Sequence, residues 1–139
     1  MMKLEGKVAI ITGASRGLGK AFALDFAREG ADIVVAARTG TEGKLPGTIH
    51  QTAEEVRALG ARVLPVRCDV TRQESVDETI QKAFQTFGRV DILVNNAGVA
   101  WWPPITETPL KRFELVMRVN LIGAFLMVKA VLPLSLIHI

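Results

Sequence analysis

The sequence predicts an α/β fold in which a parallel sheet is covered by helices on both faces. Two observations carry this prediction. Short apolar runs rich in valine and isoleucine alternate with amphipathic stretches along the 139 residues. Those runs do not alternate strictly with polar residues, which is typical of strands buried on both faces of a parallel sheet. The resulting β-α-β-α-β-α-β-α order, with right-handed crossovers, predicts a doubly wound sheet.

The strands are predicted at residues 7–12, 32–37, 61–66 and 91–94, and helices lie between them. The first helix has an apolar stripe whose members are four residues apart, Leu18, Phe22 and Phe26, and it ends at Gly30. Capping-box patterns predict the starts of the next two helices, Thr52-x-x-Glu55 and Thr71-x-x-Glu74.

The third helix carries an apolar stripe that ends at Gly88 and consists of Val76, Ile80, Phe84 and Phe87. The last helix is predicted to begin with Thr108 as the N-cap and Pro109 in the first position. Residues 39–47, rich in glycine, are predicted to form a loop between the second strand and its helix. Because no linker divides the chain, residues 1–139 are expected to belong to one domain.

Composition excludes several classes of protein. Hydrophobic residues make up 49% and charged residues 22% of the chain, as in ordinary soluble domains. The net charge is only +3, with basic and acidic residues interspersed, so no nucleic-acid partner is expected. The single cysteine, Cys68, excludes an internal disulfide, is expected to be a small core residue, and makes no metal cluster with two histidines. No apolar signal segment follows the N-terminal methionines, so a cytoplasmic location is expected.

The C-terminal segment raises the question of a membrane. Residues 121–139 contain one charge, Lys129, and one proline, Pro133, and they are apolar enough for a spanning helix. The alternating strands and helices that precede this segment favour a helix buried against the sheet. No membrane partner is therefore expected.

The strongest functional signal is the glycine-rich turn directly after the first strand, Thr12-Gly13-Ala14-Ser15-Arg16-Gly17-Leu18-Gly19. A strand that enters such a turn and continues into a helix presents unpaired N–H groups and the positive end of the helix dipole. Two glycines let the backbone approach a phosphate and the last lets the helix pack close to the sheet. The turn predicts a pyrophosphate site made by Gly13, Ser15, Arg16, Gly17, Leu18 and Gly19.

Together with Asp69 after the third strand and Asn95-Asn96-Ala97-Gly98 after the fourth, this turn resembles the pattern of the classical short-chain dehydrogenases/reductases over residues 5–133. The resemblance implies a Rossmann-type dinucleotide-binding domain with strand order 3-2-1-4. It also implies an oxidoreductase that transfers hydride between a nicotinamide and a small alcohol or carbonyl substrate. Within the family, residues 44–49 and Thr52-Ala53-Glu54-Glu55 look most like one member and its bacterial relatives.

The resemblance assigns roles to the residues that follow the third and fourth strands. Asp69 is expected to accept a hydrogen bond from the adenine amino group, with the Val70 amide nearby, although Asp69 can equally cap the turn before Thr71. The residues expected to form the floor under the ribose and nicotinamide are Asn96, Ala97 and Gly98. Asn95 is expected mainly to tie neighbouring strands together.

Charge at the end of the second strand bears on the choice of nicotinamide. An acid there would bind the ribose 2′-hydroxyl of NAD and repel the 2′-phosphate of NADP. That corner holds Arg38 instead, and Asp32 lies at the other end of the strand. Arg38 offers a forked donor to a phosphate, and Arg16 can join it. NADP(H) is therefore predicted to be preferred over NAD(H); the alternative is that Arg38 is a solvated loop charge.

Asn120 lies on a face of the last helix whose members recur at spacings of three and four, Leu110, Phe113, Met117, Asn120 and Ala124. A buried amide there needs partners, since leaving it unpaired costs on the order of 1–3 kcal/mol. One interpretation is a core asparagine bonded to backbone. The resemblance implies another, favoured here, in which Asn120 is catalytic and holds a water in the proton relay to the catalytic lysine.

The loop Trp101-Trp102-Pro103-Pro104 follows the fourth strand. Because this side of the sheet is where ligands bind, the two aromatic side chains can line a substrate pocket. The alternative, left open by the sequence, is that they cover the core.

The family's reaction also requires a serine and a Tyr-x-x-x-Lys motif, and the sequence contains no tyrosine. The tail from Leu134 to Ile139 is apolar and carries no turn signal. We therefore expect a domain that is incomplete at its C-terminus, cut near Pro133, inactive and poorly soluble alone. The resemblance implies a dimeric or tetrameric parent protein. The alternative function is a non-catalytic dinucleotide-binding module.

Overall fold

A computed structural model of the protein describes residues 1–41 and 43–135. The sheet in this part of the chain has four strands in the order β3-β2-β1-β4. Their bounds are β1 (Val8–Thr12), β2 (Asp32–Ala37), β3 (Val63–Arg67) and β4 (Ile92–Val94). All pairs are parallel, with Val8 opposite Asp32 and Ala9 opposite Ile92. The predicted strand order is confirmed, and Pro65 is tolerated because β3 is an edge strand.

Helices connect the strands and extend beyond them. Their bounds are α1 (Gly17–Arg28), α2 (Ile49–Ala58), α3 (Gln73–Phe87), α4 (Leu110–Met117) and α5 (Gly123–Ser135). A π-helical segment, Arg118–Ile122, joins α4 to α5, so the chain is helical without a break from Leu110 to Ser135. A short 3-10 turn, Ile105–Glu107, precedes α4.

The helices lie on both faces of the sheet, as predicted for a doubly wound fold. Successive residues of β1 point to opposite faces, and all five are buried. Val8 and Ile10 belong to the core shared with α3 and α5, while Ala9 and Ile11 belong to the core shared with α1 and α2. Two apolar layers therefore cover one sheet, and their burial is the main source of stability.

The prediction of the buried face of α1 was wrong. Leu18 is 71% exposed and Phe22 is 37% exposed, whereas the buried residues are Gly19, Ala23 and Ala27. Only Phe26, of the predicted stripe, packs partly against the core. The reason is the closeness of the helix to the sheet, which leaves room for glycine and alanine but not for larger side chains.

The predicted helix starts were also wrong. Helix α2 begins one turn earlier than expected, at a capping box in which Thr48 Oγ1 accepts from the Gln51 amide at 3.1 Å and Gln51 Oε1 accepts from the Thr48 amide at 3.1 Å. Thr52 is buried inside that helix.

The third helix has Arg72 as its N-cap, without a side-chain cap. The last begins after Pro109, because the Thr108 hydroxyl donates to the Pro104 carbonyl at 3.0 Å instead of capping. Two predicted ends are confirmed: Gly30 and Gly88 have left-handed φ angles of 91° and 75°.

The long C-terminal helix buries only one narrow face, made by Val119, Gly123, Met127 and Val131. The face predicted to be buried is largely exposed, with Leu110 69% and Phe113 55% exposed. A further exposed apolar row consists of Leu121, Phe125, Val128 and Leu132. By length and composition alone, the 26-residue helix would suffice to cross a membrane, a test that core helices of soluble proteins also pass. The last four residues of the apolar tail, Leu136, Ile137, His138 and Ile139, lie outside the described residues.

Asp91 joins β1 and β4 at the end of the sheet where both strands begin. Its carboxylate accepts from the Val8 amide at 2.9 Å, from Arg89 Nε at 2.8 Å and from Arg89 Nη2 at 2.6 Å. The hydrogen-bonded guanidinium holds the pKa of Asp91 below its ordinary value against the opposing effect of burial, and the Val8 amide adds to this lowering. Asp91 therefore contributes to stability in its ionised form.

We expect Asp91→Asn to reduce the free energy of unfolding at pH 7 by about 1–3 kcal/mol, because charge-assisted bonds are lost while the shape is kept. Since the folded pKa is lowered, the contribution is present above the unfolded pKa of about 3.9 and is lost as the pH falls through the folded pKa. Urea unfolding followed by circular dichroism at pH 7 and in acid measures both effects. Asp77→Asn, at an exposed position of α3, is the matched control. A destabilisation that did not diminish in acid would contradict the assignment.

Candidate functional site

A cavity of about 420 Å³ lies at the carboxyl ends of the strands, where open parallel sheets bind their ligands. Predicted site residues that line it are Gly13, Ser15, Arg16, Arg38, Asp69, Val70, Ala97 and Gly98. Sequence reasoning missed other lining residues, among them Thr39, Leu45, Leu115 and Arg118. The last two lie on α4 and the π-helical segment, so only the approach of that helix to the sheet reveals them.

The glycine-rich turn has the conformation that the spacing predicts. Gly13 and Gly17 have left-handed φ angles of 65° and 58°. A Cβ at Gly17 would meet nothing within 4 Å, so the requirement there is conformational. At Gly19 the requirement is steric, because a Cβ would lie 2.4 Å from the Gly13 carbonyl oxygen. Gly19 therefore allows α1 to begin directly beneath the turn.

The beginning of α1 fits an anionic ligand. Its N-cap, Arg16, makes no side-chain cap, and its first turn contains no acidic residue. Leu18 is exposed at this end of the helix. Since the first N–H groups of a helix have no intrahelical acceptor, they remain suited to bind a phosphate.

Thr12 and Asn96 hold the turn against the end of β4. The Thr12 hydroxyl accepts from the Asn96 amide at 3.1 Å and the Ala97 amide at 3.0 Å, and Thr12 is 1% exposed. Asn96 Nδ2 donates to the carbonyl oxygens of Thr12 at 3.0 Å and Gly13 at 3.2 Å. Sequence reasoning missed Thr12, although its position just before the first glycine was a signal.

The strand-tying role expected of Asn95 is therefore carried by Asn96. In the described part of the chain the Asn95 side chain makes no hydrogen bond, and Asn95 is exposed. Asn96 lies beneath the glycine-rich turn and supports the floor of the cavity through the backbone that it holds.

Asp69 organises the turn after β3, as the capping interpretation predicts. Its Oδ1 accepts from the Thr71 amide at 3.0 Å and the Thr71 hydroxyl at 2.7 Å. Burial raises the pKa of Asp69, but these two hydrogen bonds and the charges of Arg38 and Arg72 outweigh it, so the pKa lies below its ordinary value. Asp69 is therefore an ionised acceptor at the cavity wall. Its capping of this turn does not exclude the predicted hydrogen bond from the adenine amino group.

The predicted basic corner forms around Arg16 and Arg38. Both line the cavity, and Arg16 Nη2 donates to Thr39 Oγ1 at 3.1 Å. Asp32 lies at the opposite end of β2 and pairs with Arg62. Among the described lining residues, Asp69 is the acid, and the arginines are Arg16, Arg38 and Arg118. The cavity therefore favours an anion near the end of β2.

Asn120 is paired with backbone. Its Oδ1 accepts from the Val99 amide at 2.8 Å, and its Nδ2 donates to the Val99 carbonyl at 2.9 Å. The premise that Asn120 is buried was wrong, since the residue is exposed. It lies in the π-helical segment, a feature that often marks functional positions. This pair fixes the chain just after Gly98 against the helix.

The two tryptophans after β4 do not cover the core. Trp102 is 90% exposed, the Arg112 guanidinium lies 4.9 Å from the centre of the Trp101 ring, and neither tryptophan belongs to a core cluster. The interpretation that these side chains cover the core was therefore wrong.

Cys68 is a buried core residue, as expected, and burial raises the pKa of its thiol. No group of His, Cys, Asp and Glu within the described ranges could hold a metal ion.

The sequence profile of the short chain dehydrogenase family matches residues 7–137. The chain is 48% identical over 132 residues to hydroxysteroid dehydrogenase-like protein 2 from cattle (Bos taurus), which is the family member that the segment 44–55 resembles. That match covers 94% of this chain and 32% of the cattle protein. The chain thus spans about a third of the length of the curated relatives it matches.

Solved structures match with the same fold. A candidate dehydrogenase from Xanthomonas campestris superposes with a TM-score of 0.93 at 44% identity, over 98% of this chain and 51% of that one. Carveol dehydrogenase from Mycobacterium avium, solved in complex with NAD, gives a TM-score of 0.90 at 31% identity, over 99% of this chain and 52% of that one.

We expect Thr12→Val to reduce the free energy of unfolding by about 1–3 kcal/mol, because the Ala97 N–H loses its acceptor, whereas the Asn96 N–H keeps the Val94 carbonyl at 3.0 Å. Thr12→Ser keeps the hydroxyl and should cost about 1 kcal/mol or less, since only a methyl group is removed. Urea unfolding of the two variants measures the difference. Equal stabilities would show that the hydroxyl does not carry the link between β1 and β4.

Proposed function

The chain belongs to the short-chain dehydrogenase family, and from this premise we propose that its protein is an oxidoreductase that uses NADP(H) in preference to NAD(H). The proposed reaction is hydride transfer between the nicotinamide and an alcohol or carbonyl of a small molecule. The observation that carries the cofactor choice is Arg38, which lines the cavity together with Arg16 at the end of β2. Residues 38–41, which follow that strand directly, contain no acid.

The residues of the cavity fit a dinucleotide. The uncapped start of α1, with Gly13, Ser15 and Gly17, would hold the pyrophosphate. Asp69 and Val70 would hold the adenine, and Asn96, Ala97 and Gly98 would support the ribose and nicotinamide. The bound dinucleotide supplies or takes up the hydride.

Electrostatics support a phosphate at the end of β2. Charge-assisted hydrogen bonds contribute about 1.5–3 kcal/mol each, and every 1.4 kcal/mol is about tenfold in affinity. A 2′-hydroxyl lacks the charge that would draw two arginines. Carveol dehydrogenase, which shares this fold, was solved in complex with NAD. The proposal is therefore that the residues at this corner, rather than the fold, decide which nicotinamide this chain prefers.

We also propose that Asn120 takes part in the reaction by holding a water in the proton relay. Its amide is already fixed on Val99, which follows the proposed nicotinamide floor directly. Because both amide atoms are engaged, the water would use the second lone pair of Oδ1 or the second N–H of Nδ2.

A homo-oligomeric protein is part of the proposal. The exposed apolar row along the C-terminal helix, formed by Leu121, Phe125, Val128 and Leu132, supports it. An apolar surface of this kind is costly in water, and contact with another protein surface would remove that cost.

The loop with Trp101 and Trp102 is proposed as part of the substrate pocket, since Trp102 is 90% exposed.

We expect the full-length protein to bind NADPH about ten- to a hundredfold more tightly than NADH, by fluorescence titration of the two reduced cofactors. Arg38→Ala should weaken NADPH binding by about the same factor and change NADH binding by less than about threefold. Arg67→Ala removes the same charge at the exposed end of β3, away from the cavity lining, and is the matched control. Equal affinities of the unaltered protein for NADPH and NADH would refute the NADP(H) preference.

We expect Asn120→Ala to lower kcat by about a hundredfold or more, the usual contribution of a proton-transfer path, with little change in the NADPH dissociation constant. The pH profile of kcat should also change, because the relay sets the apparent pKa of the step. Lys111→Ala, at an exposed position of α4, should retain activity. A loss of NADPH affinity in proportion to kcat, with an unchanged pH profile, would assign Asn120 a structural role only.

A further inference from the structure

The described residues of the loop between β2 and α2, 38–41 and 43–48, touch the glycine-rich turn through Thr39 and Gly47. Gly47 has a left-handed φ of 104°, and a Cβ there would lie 2.5 Å from the Ser15 carbonyl oxygen and 3.2 Å from Arg16 Cβ. At the other end of the loop, Thr39 Oγ1 accepts from Arg16 Nη2 at 3.1 Å. The loop therefore binds the Arg16 guanidinium through Thr39, and Gly47 lies close to the Arg16 Cβ.

Both ends of this loop are anchored. The Ile49 amide donates to the Thr39 carbonyl at 3.0 Å, which brings the end of β2 and the start of α2 together. Thr48 is 5% exposed and forms the capping box of α2, and Ile49 is 2% exposed. The position of Gly47 is thus fixed by the core on one side and by the turn on the other.

Only glycine satisfies both conditions at position 47. A left-handed φ disfavours any residue with a Cβ, and the space that a Cβ would need is filled by backbone rather than by the end of a mobile side chain. The other glycines of this loop do not combine these features. A Cβ at Gly40 or at Gly43 of the same loop would meet nothing within 4 Å, and neither residue has a left-handed φ.

We propose that this loop positions Arg16 for the 2′-phosphate of the cofactor, with Gly47 as the positioning residue that seats the loop on the glycine-rich turn. Arginine side chains have many rotamers, and one that is already ordered loses less freedom when it binds a ligand. A single bond to Thr39 leaves the other guanidinium N–H groups for the phosphate. The inference rests on the proposed use of NADP(H), and it adds how the loop orders Arg16, one of the two arginines proposed to bind the 2′-phosphate.

The test is the ratio of NADPH to NADH affinity in the full-length protein carrying Gly47→Ala. We expect NADPH binding to weaken by about tenfold and NADH binding by about twofold, so the ratio falls about fivefold. Gly40→Ala controls for the extra methyl group in the same loop. Gly60→Ala, at a left-handed φ of 87° with no neighbour within 4 Å, controls for backbone strain away from the cavity. Both controls should keep the ratio of the unaltered protein.

A double-mutant cycle shows whether Gly47 acts through Arg16. If it does, Gly47→Ala should leave the ratio unchanged in an Arg16→Ala background. Thr39→Val removes the other contact and decides the matter should Gly47→Ala fail to fold. It is expected to lower the ratio about threefold, again only when Arg16 is present.

The outcomes separate this inference from the proposed function. Equal NADPH and NADH affinities in the unaltered protein would overturn the NADP(H) preference and, with it, the inference. A clear NADPH preference that survives both Gly47→Ala and Thr39→Val would overturn the inference alone. A lower melting temperature with an unchanged ratio would likewise reduce the loop to a structural role.

Discussion

The hydrogen-bonded joint between the ends of β1 and β4 is the constraint on which the rest of the site depends. Thr12 and Asn96 take part in five hydrogen bonds that join the end of β1 to the end of β4 and the residues directly after it. Because the joint lies beneath Gly13, it also sets how closely α1 can begin under the turn, which is why Gly19 has no room for a Cβ. The glycine-rich turn, the cavity floor and the start of α1 are therefore bonded and packed together as one unit.

Around this unit, charged side chains line the cavity at the carboxyl ends of the strands. The parallel strands end together, so residues distant in sequence, such as Arg16, Arg38 and Asp69, line one cavity. Asp69 is an ionised acceptor held by Thr71, and the arginines lie on the side of β2. The loop after β2 ties the basic side to the turn through Thr39 and Gly47. The shape of the cavity and its charge thus rest on the same few backbone contacts.

Much of the fold and of the site was predictable because it depends on local chemistry. A strand followed by a glycine-rich turn and a helix needs no distant contact to be recognised, and Gly30 and Gly88 end their helices through their own left-handed conformation. The predicted helix starts failed where two threonine patterns competed: Thr48 with Gln51 is the capping box, and Thr52 lies buried one turn later. The prediction of the buried face of α1 failed because periodicity alone does not show how close the helix lies to the sheet.

The sequence by itself determined the glycine-rich turn and the absence of an acid directly after β2, since each follows from residue type and spacing, and its resemblance to a known family implied the strand order. Tertiary structure alone decided which faces are buried, that Asn96 rather than Asn95 ties the strands, and that Asn120 is exposed yet paired with Val99. It also brought Leu115, Arg118 and Gly47 to the site. These features depend on distances between elements far apart in the chain, and such distances are set by packing, which no local pattern records.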